Sequence, residues 1–475
     1  MEESSKRVRK SSPSSSENGD DRLSTLPDSL LHHILSFLPT KTNVSTITLL
    51  SHRYLHLWKT LQAFDFYYPF ADVNSERFKL FAVFVNSVLT LRHSRDIRKM
   101  RLSCGYSQPQ REDTHAYLYD SWVRSGDRFT VRSVDSWIRI AVGPYLEELH
   151  LALFSCQDHG FRLPFNVLSS CPNLQSLSLC GEIVVELEQS SAICLPSLKT
   201  LQIDIGNVDV SSVGILLSGC PILETLDLSC SPTSLGKLRV PSSLKSLKFT
   251  VENDIGACLE IDAPGLRYLS LTKITFDDAA AVGNLHSVKE AYLDIFFTPE
   301  NESIDPLLIL LQALSGIKQL VLHCSMAKRL LDGQPIINFS KIQIPEFYHL
   351  RHLELILPTF DTFLYDVLQK CPMLQALIIQ NNKDTAKHEY GLAVKPESVP
   401  NCVVYHLTSI HFKGYQGDIP EMEFANYVLQ NGLVLESMII SDFLLEKKEK
   451  WKKYRFLNNL SNTPKGSTVC QVKFE

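Results

Sequence analysis

A six-residue pattern of hydrophobic positions recurs along most of the chain, with aliphatic residues favoured at its first, fourth and sixth places. Within an extended segment successive side chains point to opposite faces, so the fourth and sixth residues share one face. The pattern therefore predicts short strands that each bury one face. Matches are LEELHL from Leu146, LQSLSL from Leu174, LKTLQI from Leu198, LETLDL from Leu223, LKSLKF from Leu244, LRYLSL from Leu266, VKEAYL from Val288, IKQLVL from Ile317, LRHLEL from Leu350 and LQALII from Leu374.

Successive matches start 28, 24, 25, 21, 22, 22, 29, 33 and 24 residues apart. These intervals bracket the period of leucine-rich repeats, with insertions in the longer ones. A single repeat cannot close its own core, so neighbouring repeats stack with parallel strands about 4.8 Å apart. The prediction is an α/β solenoid, an arc with a parallel sheet on its concave side, in which IRKMRL at Ile97 is a candidate first repeat.

The open end of such an arc exposes a strand edge and apolar core, so a cap is required. Residues 396–475 have the features of that cap, because LTSIHF from Leu407 and LESMII from Leu435 continue the repeat register. Between them the sequence predicts a helix over 422–430, closed by Gly432. A charged helix over 446–460 and a terminal strand over 469–475 are predicted to follow.

The N-terminal part has a helical periodicity instead. The segment LSTLPDSLLHHILSFLPTK from Leu23 carries apolar residues with the spacing of one helix face. Pro27 suits the first helical position, Asp28 meets the positive end of the helix dipole, and Pro39 is predicted to stop the helix. A second apolar stretch covers 44–58. A domain of roughly 45 residues buries little surface alone, so a partner that covers part of this apolar excess is expected.

Composition excludes several function classes. The net charge is -5, from 47 Lys plus Arg and 52 Asp plus Glu, so the concentrated positive charge that nucleic-acid binding needs is not expected. Residues 1–20 contain seven serines and are predicted to be disordered. The N-terminus has no apolar region of a secretory signal, and the most apolar stretch, 307–314, is too short to span a bilayer.

The twelve cysteines are therefore expected to be free thiols, placed mostly by packing, in a protein of the nucleus and/or cytoplasm. No C-x-x-C pair occurs, which argues against a zinc site. No Ser/His/Asp or Cys/His set stands out either. We expect no catalytic residues, no metal, no cofactor, and neither nucleic acid nor membrane as a partner.

Residues 23–66 resemble the F-box in its plant form. LPDSLLHHILSFLPTK from Leu26 matches that form nearly residue for residue, and LLSHRYLHLW from Leu49 corresponds to its second half, with Tyr54 in place of the usual Trp. VPNCVVYHLTSIHFKGYQGDIPEMEFANYVLQNGLVLESMII and TVCQVKFE are similar to the FBD domain. In this order, with the repeats between them, the chain resembles the plant F-box/FBD/leucine-rich-repeat proteins. The implied divisions are a disordered tail over 1–20, a small all-α F-box over 21–66, repeats over 67–395 and an α/β FBD cap over 396–475.

The resemblance implies a non-catalytic substrate-recognition subunit of an SCF-type (Skp–cullin–F-box) ubiquitin ligase. The F-box would dock a Skp-type adaptor, and through it a cullin, while the repeats recruit an unknown target protein for ubiquitination. The residues carried over as adaptor contacts are Leu26, Pro27, Leu30, Leu31, Ile34, Leu35, Leu38, Pro39, Leu50 and Trp58.

Two departures from the F-box pattern leave an alternative open, which is a repeat-based interaction scaffold whose degenerate F-box has no link to a ligase. They are Tyr54 and the linking stretch TNVSTIT, one residue longer than usual. The concave positions mix charge signs and aromatics, as protein-binding surfaces often do, although an ordinary solvated face is the alternative for each. Tyr268 and Tyr292 are the favoured anchors. The predicted target-binding residues are Thr225, Asp227, Lys248, Tyr268, Tyr292, Asp294, His323, His352 and Glu354.

Overall fold

The structure is a computed structural model, and it describes most of the chain between residues 25 and 474. None of the helices in this described part combines the length and hydropathy that a membrane span needs. The predicted tail over 1–20 and most of the predicted helix over 446–460 lie outside the described residues. The described ranges are 25–49, 52–68, 75–94, 96–105, 132–154, 161–163, 168–185, 187, 193–234, 236–253, 257–275, 282–295, 305–323, 344–357, 362–381, 396–415, 419–441, 454–455, 458–460 and 462–474.

Nineteen strands are formed in the described ranges. They are β1 (Ala63–Tyr67), β2 (Lys99–Gly105), β3 (Glu148–Phe154), β4 (Phe161–Arg162), β5 (Ser176–Gly181), β6 (Ile183–Val184), β7 (Thr200–Val208), β8 (Thr225–Pro232), β9 (Lys237–Arg239), β10 (Ser246–Val251), β11 (Ala257–Glu260), β12 (Tyr268–Thr275), β13 (Glu290–Ile295), β14 (Gln319–His323), β15 (His352–Leu357), β16 (Ala376–Asn381), β17 (Ser409–Lys413), β18 (Ser437–Ser441) and β19 (Gln471–Phe474).

Seventeen of these strands belong to one sheet, and its recorded pairs are all parallel. The main ladder runs β1, β2, β3, β5, β7, β8, β10 and then β12 to β19 in order, so each repeat adds one strand beside the previous one. β9 and β11 form a side ladder that joins β12, and β4 pairs with β6 separately. The predicted α/β solenoid is confirmed.

The hydrophobic positions of each repeat stack into continuous rows. In β8, Leu226, Leu228 and Cys230 are buried on the inner face. The register places Leu226 between Leu201 of β7 and Leu247 of β10, and the same holds in the other strands. Burying one leucine side chain contributes about 1.5–3 kcal/mol to stability, and the same burial recurs in each stacked repeat along the arc.

Ten helices have five or more residues in the described part of the chain, and several of them connect one strand to the next. They are α1 (Asp28–Leu35), α2 (Thr40–Ser45), α3 (His52–Leu57), α4 (Ser75–Leu91), α5 (132–141), α6 (Val210–Ser218), α7 (Asp305–Ala313), α8 (Thr362–Lys370), α9 (Asn401–Tyr405) and α10 (Ile419–Asn431).

Helix α6 shows which local contacts form the turns before and after the helix of a repeat. The Asp209 carboxylate accepts a hydrogen bond from the backbone N–H of Ser211 and so caps the start of the helix. Gly219 follows the helix, where a Cβ atom would lie 2.5 Å from the carbonyl oxygen of Ile193. Glycine is required there because the two segments of backbone approach so closely. The next residue, Cys220, is fully buried, as its packing role predicts.

The N-terminal helices depart from the prediction at Pro39. α1 ends at Leu35, four residues earlier, and Pro39 instead occupies the position that precedes α2. The reason is visible in the turn between the helices, where the Asn43 side-chain amide donates to the Leu35 carbonyl oxygen at 2.8 Å. The second apolar stretch, 44–58, contains the end of α2, a 3-10 turn (Ile47–Leu49), α3 and the start of a second 3-10 turn (Trp58–Thr60).

The repeat ladder starts one strand earlier than the candidate at Ile97. β1 follows the helices directly, and Leu61, Phe64 and Phe66 bury their side chains with the spacing of the repeat pattern. The backbone N–H of Asp65 in β1 donates to the hydroxyl of buried Thr40 at 2.8 Å, so α2 is hydrogen-bonded to the ladder. The N-terminal helices and the first repeats share one hydrophobic core.

The C-terminal end continues the ladder with β17, β18 and β19. The predicted helix over 422–430 is formed within the longer α10, and the predicted terminal strand is formed as β19. β19 is the last strand of the described ladder, and it is short and presents Gln471 and Lys473 to solvent. A short polar strand is a common way to leave a sheet edge unattractive to other chains.

Candidate functional site

Two surfaces carry the predicted binding residues, and the first lies on the N-terminal helices. Leu30 and Ile34, one turn apart on α1, are 50% and 39% exposed. Leu31 and Leu35, the residues next to them, are 1% and 4% exposed and belong to the core. α1 therefore uses one leucine stripe for its own fold and leaves a second apolar stripe open.

Phe37, which is not among the predicted adaptor contacts, extends the open stripe. Its side chain is 74% exposed, and its ring meets the ring of His33 edge to face at 4.9 Å. The spacing of four and then three residues from Leu30 to Phe37 is the signal that identifies it. Leu49, in the first 3-10 turn, is 84% exposed and is likewise not among the predicted contacts. We call Leu30, Ile34 and Phe37 the apolar stripe.

The other predicted adaptor contacts have mixed surroundings. Trp58 is buried in the core, and Leu26 and Leu38 are partly buried and pack against that core. Pro27 and Pro39 are exposed at the starts of α1 and α2. Leu50 lies outside the described residues.

Polar contacts hold α1 against α3 and the 3-10 turn after it, and so fix which face of α1 is open. The Arg53 guanidinium on α3 pairs with the Asp28 carboxylate and donates to the Leu26 carbonyl oxygen at 2.7 Å. A hydrogen bond of 2.7 Å joins His32 Nε2 and the Thr60 hydroxyl. Asp28 thus does more than meet the helix dipole, because it anchors α1 to α3.

The second surface is the concave face of the sheet, where strand register aligns the predicted target-binding residues into three rows. Each row joins equivalent positions of successive strands, which lie about one strand spacing apart, and the predicted residues occupy some of the positions in each row. The first row contains Thr225, Tyr268 and His352, the second contains Asp227, Lys248, Tyr292 and Glu354, and the third contains Asp294 and His323.

Burial differs among these nine residues. Lys248, Tyr268 and His352 are exposed, and five others are half-buried. Asp294 is the exception, because it is only 6% exposed. Nδ1 of His323 lies 3.3 Å from the Asp294 carboxylate. Asp294 is thus the member of the set least accessible to a target.

Charges on this face are partly paired across strands. Lys248 Nζ lies 3.4 Å from the Asp227 carboxylate, and Lys413 Nζ lies 2.9 Å from the Glu354 carboxylate. Burial raises the pKa of Tyr292, and the negative charges of Asp294 and Glu354 raise it further. The Tyr292 hydroxyl therefore stays protonated and can donate a hydrogen bond to a bound protein.

A cleft of about 820 Å³ lies between the N-terminal helices and the first strands of the sheet. Its lining includes Lys41 of α2, Phe84 of α4, and Asp65, Arg101 and His150, which occupy equivalent positions of β1, β2 and β3. Burial and the nearby Arg101 charge lower the pKa of His150, and Asp65 partly opposes them. The N-terminal helices thus border the first strands of the concave face.

Thiol chemistry is disfavoured over most of the described chain. Eight of the ten described cysteines are buried. Burial raises the pKa of Cys104, Cys220, Cys230 and Cys402 to about 12, so their thiolates are scarce at neutral pH. Among the described residues, no group of three or more His, Cys, Asp or Glu side chains is arranged to hold a metal ion.

Comparison with known proteins gives a consistent picture. The family described as "At1g61320/AtMIF1, LRR domain" matches residues 118–456. The chain is 29% identical to the F-box/FBD/LRR-repeat protein At4g26340 of Arabidopsis thaliana, over 96% of this chain and 100% of that protein. It is 27% identical to the FBD-associated F-box protein At5g56370 of the same plant, with the same coverage. The F-box/FBD/LRR-repeat protein At1g13780 is 29% identical over 96% of this chain and 98% of its own length.

Proposed function

The chain belongs to the plant F-box/FBD/leucine-rich-repeat proteins, and from that membership we propose that it is a substrate-recognition subunit of an SCF-type ubiquitin ligase. The F-box docks a Skp-type adaptor, which bridges to a cullin. The repeats recruit a target protein, and a separate conjugating enzyme transfers ubiquitin to it. The protein itself contributes binding and positioning rather than catalysis.

The observation that carries the adaptor role is the apolar stripe on α1 and the turn that follows it. Leu30, Ile34 and Phe37 remain open to solvent although the same helix buries Leu31 and Leu35. An apolar patch of this kind on a folded domain commonly marks a protein-binding surface. A docked adaptor would bury the stripe, and the contacts of Arg53 with α1 support its presentation as a rigid helix face.

Target recruitment is the part of the proposal that rests on the concave face. The three rows place aromatic, acidic and basic side chains at regular spacing on a rigid sheet, and Tyr268 and Tyr292 lie on neighbouring strands. Aromatic residues dominate the energetics of many interfaces, so this pair is our choice of anchors. The same proposal puts the protein in the nucleus and/or cytoplasm, the reducing compartments that free thiols fit.

A pull-down with a purified Skp-type adaptor tests the ligase link. Leu30→Arg combined with Ile34→Arg places two charges in the stripe and is expected to abolish binding while the protein stays folded, because both side chains are substantially exposed. A matched control is Ile222→Arg combined with Leu433→Arg, two similarly exposed aliphatic residues outside the F-box. Failure of the wild type to bind, or full binding by the stripe variant, would refute the proposal.

A scaffold without a ligase link is the second candidate, and Tyr54 is the observation that favours it. The side chain is buried, and its hydroxyl has no hydrogen-bond partner among the described residues. The F-box of this chain is thus suboptimal at the position where the family usually has Trp. Co-purification from plant tissue with target proteins but never with a cullin would support the scaffold and exclude the ligase role.

A further inference from the structure

Five basic residues occupy equivalent positions in successive repeats, each one residue before a strand. Lys245, Arg267, Lys289, Lys318 and Arg351 directly precede β10, β12, β13, β14 and β15. We call this row the basic ridge. Its members are 22, 22, 29 and 33 residues apart in the sequence, so neither the net charge nor a local run of charge indicates it.

Backbone hydrogen bonds fix the spacing of the ridge. The N–H of Arg267 donates to the carbonyl oxygen of Lys245 at 2.8 Å, and the N–H of Lys289 donates to that of Arg267 at 2.8 Å. The same bond joins Lys318 to Lys289 and Arg351 to Lys318, each at 2.9 Å. Successive members therefore sit at the strand spacing of about 4.8 Å, which gives a ridge about 19 Å long.

The ridge places like charges side by side with little compensation. All five side chains are exposed. Lys245 pairs with Glu224 at 2.8 Å, and the side chains of the other four make no hydrogen bond or ion pair with any residue that the structure describes. The Debye length is about 8 Å at physiological salt, longer than the strand spacing of about 4.8 Å, so salt screens neighbouring members from each other only partly. Adjacent like charges disfavour folding, and an anionic partner would relieve that repulsion.

We propose that the basic ridge binds an acidic segment of a protein, a stretch rich in Asp, Glu or phosphorylated side chains. The identification of that protein as the recruited target rests on the proposed function, whereas the binding of an acidic segment to the ridge does not. The ridge is a single file of cations whose length matches about six residues of extended chain. Beside it on the concave face lie Tyr268 and Tyr292, whose rings offer contacts to the side chains of a peptide.

Fluorescence anisotropy with the full chain tests the ridge. The probe is a labelled twelve-residue peptide of alternating Glu and Ser, and a Gln–Ser peptide is its neutral counterpart. The ridge variant combines Arg267→Gln, Lys289→Gln and Lys318→Gln. Its control combines Lys41→Gln, Lys237→Gln and Lys473→Gln, which removes as many exposed positive charges from other parts of the protein.

The wild type and the control variant are expected to bind the Glu–Ser peptide with dissociation constants within about twofold of each other. The ridge variant should bind about tenfold more weakly, because three exposed ion pairs of modest strength are lost. Binding by the wild type should weaken as NaCl is raised from about 50 to about 300 mM. Thermal unfolding should show the ridge variant at least as stable as the wild type at low salt.

Three results would each overturn the proposal. They are equal binding of the Glu–Ser and Gln–Ser peptides, undiminished binding by the ridge variant, and equal loss in the control variant. Tighter binding of a single-stranded oligothymidylate of the same length would overturn the choice of a protein partner. The adaptor pull-down is independent, so peptide binding without adaptor binding would leave the ridge standing and remove only the ligase role.

Discussion

Leu30 and Leu31 are neighbours in the sequence, and the structure gives them opposite surroundings. Leu31 is 1% exposed in the core, and Leu30 is 50% exposed on the apolar stripe. Truncation of each to alanine should therefore have a different consequence. Leu31→Ala is expected to destabilise the protein by about 2–5 kcal/mol, the usual effect of a cavity in a packed core. Leu30→Ala should change the free energy of unfolding by only about 0.5 kcal/mol.

Adaptor affinity should follow the opposite order. Full burial of a leucine side chain contributes about 1.5–3 kcal/mol, and half of Leu30 is still exposed before binding. Covering that half contributes about 0.8–1.5 kcal/mol, which corresponds to a loss of affinity of about 4- to 12-fold in Leu30→Ala. Leu31→Ala should bind the adaptor nearly normally under conditions where it remains folded.

Urea unfolding followed by circular dichroism gives the stabilities, and isothermal titration calorimetry with the purified adaptor gives the dissociation constants. The two variants serve as each other's controls because they remove the same atoms from adjacent positions. An unchanged dissociation constant in Leu30→Ala, together with weaker binding by folded Leu31→Ala, would refute the assignment of the open face. So would a loss of more than about 2 kcal/mol of stability in Leu30→Ala.

Four further outcomes follow from particular contacts. Thr40→Val should lower the free energy of unfolding by about 1–3 kcal/mol, because it leaves the backbone N–H of Asp65 without its acceptor. Urea unfolding measures this change, and an unchanged midpoint would show that the hydrogen bond between α2 and β1 is dispensable. Tyr54→Phe should raise that free energy by about 1 kcal/mol, since it removes a buried hydroxyl without a partner, and destabilisation would contradict this. Cys194 should be alkylated by iodoacetamide before the other described cysteines, as mass spectrometry of peptides can determine, because it is the exposed one among them. The pKa of His150 is lowered in the folded state, so the unfolded chain takes up a proton more readily as the pH falls through about 6.5, and that favours unfolding. His150→Gln should therefore lose less thermal stability than the wild type between about pH 7.5 and 5.5, and parallel losses would refute this sign.

The repeat strands could be predicted from sequence because their cause is local. Aliphatic residues at the first, fourth and sixth places bury one face of a strand wherever they occur, and the matches from Leu146 to Leu374 all lead into strands of the ladder. The first strand was missed although LQAFDF from Leu61 has the same spacing, since it follows the F-box helices and uses phenylalanines instead of leucines. The end of α1 was misplaced because a side-chain contact from Asn43, not the proline, shapes the turn.

The sequence by itself thus determined the kind of fold, the order of its parts and the inward rows of the sheet, because hydrophobic period and chain direction are properties of short segments. Only the tertiary structure separated Leu30 from Leu31, since a helix face is closed or open according to what packs against it. Only the structure also aligned Lys245, Arg267, Lys289, Lys318 and Arg351, because residues 22 to 33 positions apart become neighbours solely through the stacking of repeats. Charges that look dispersed along the chain become a ridge when parallel strands are held about 4.8 Å apart.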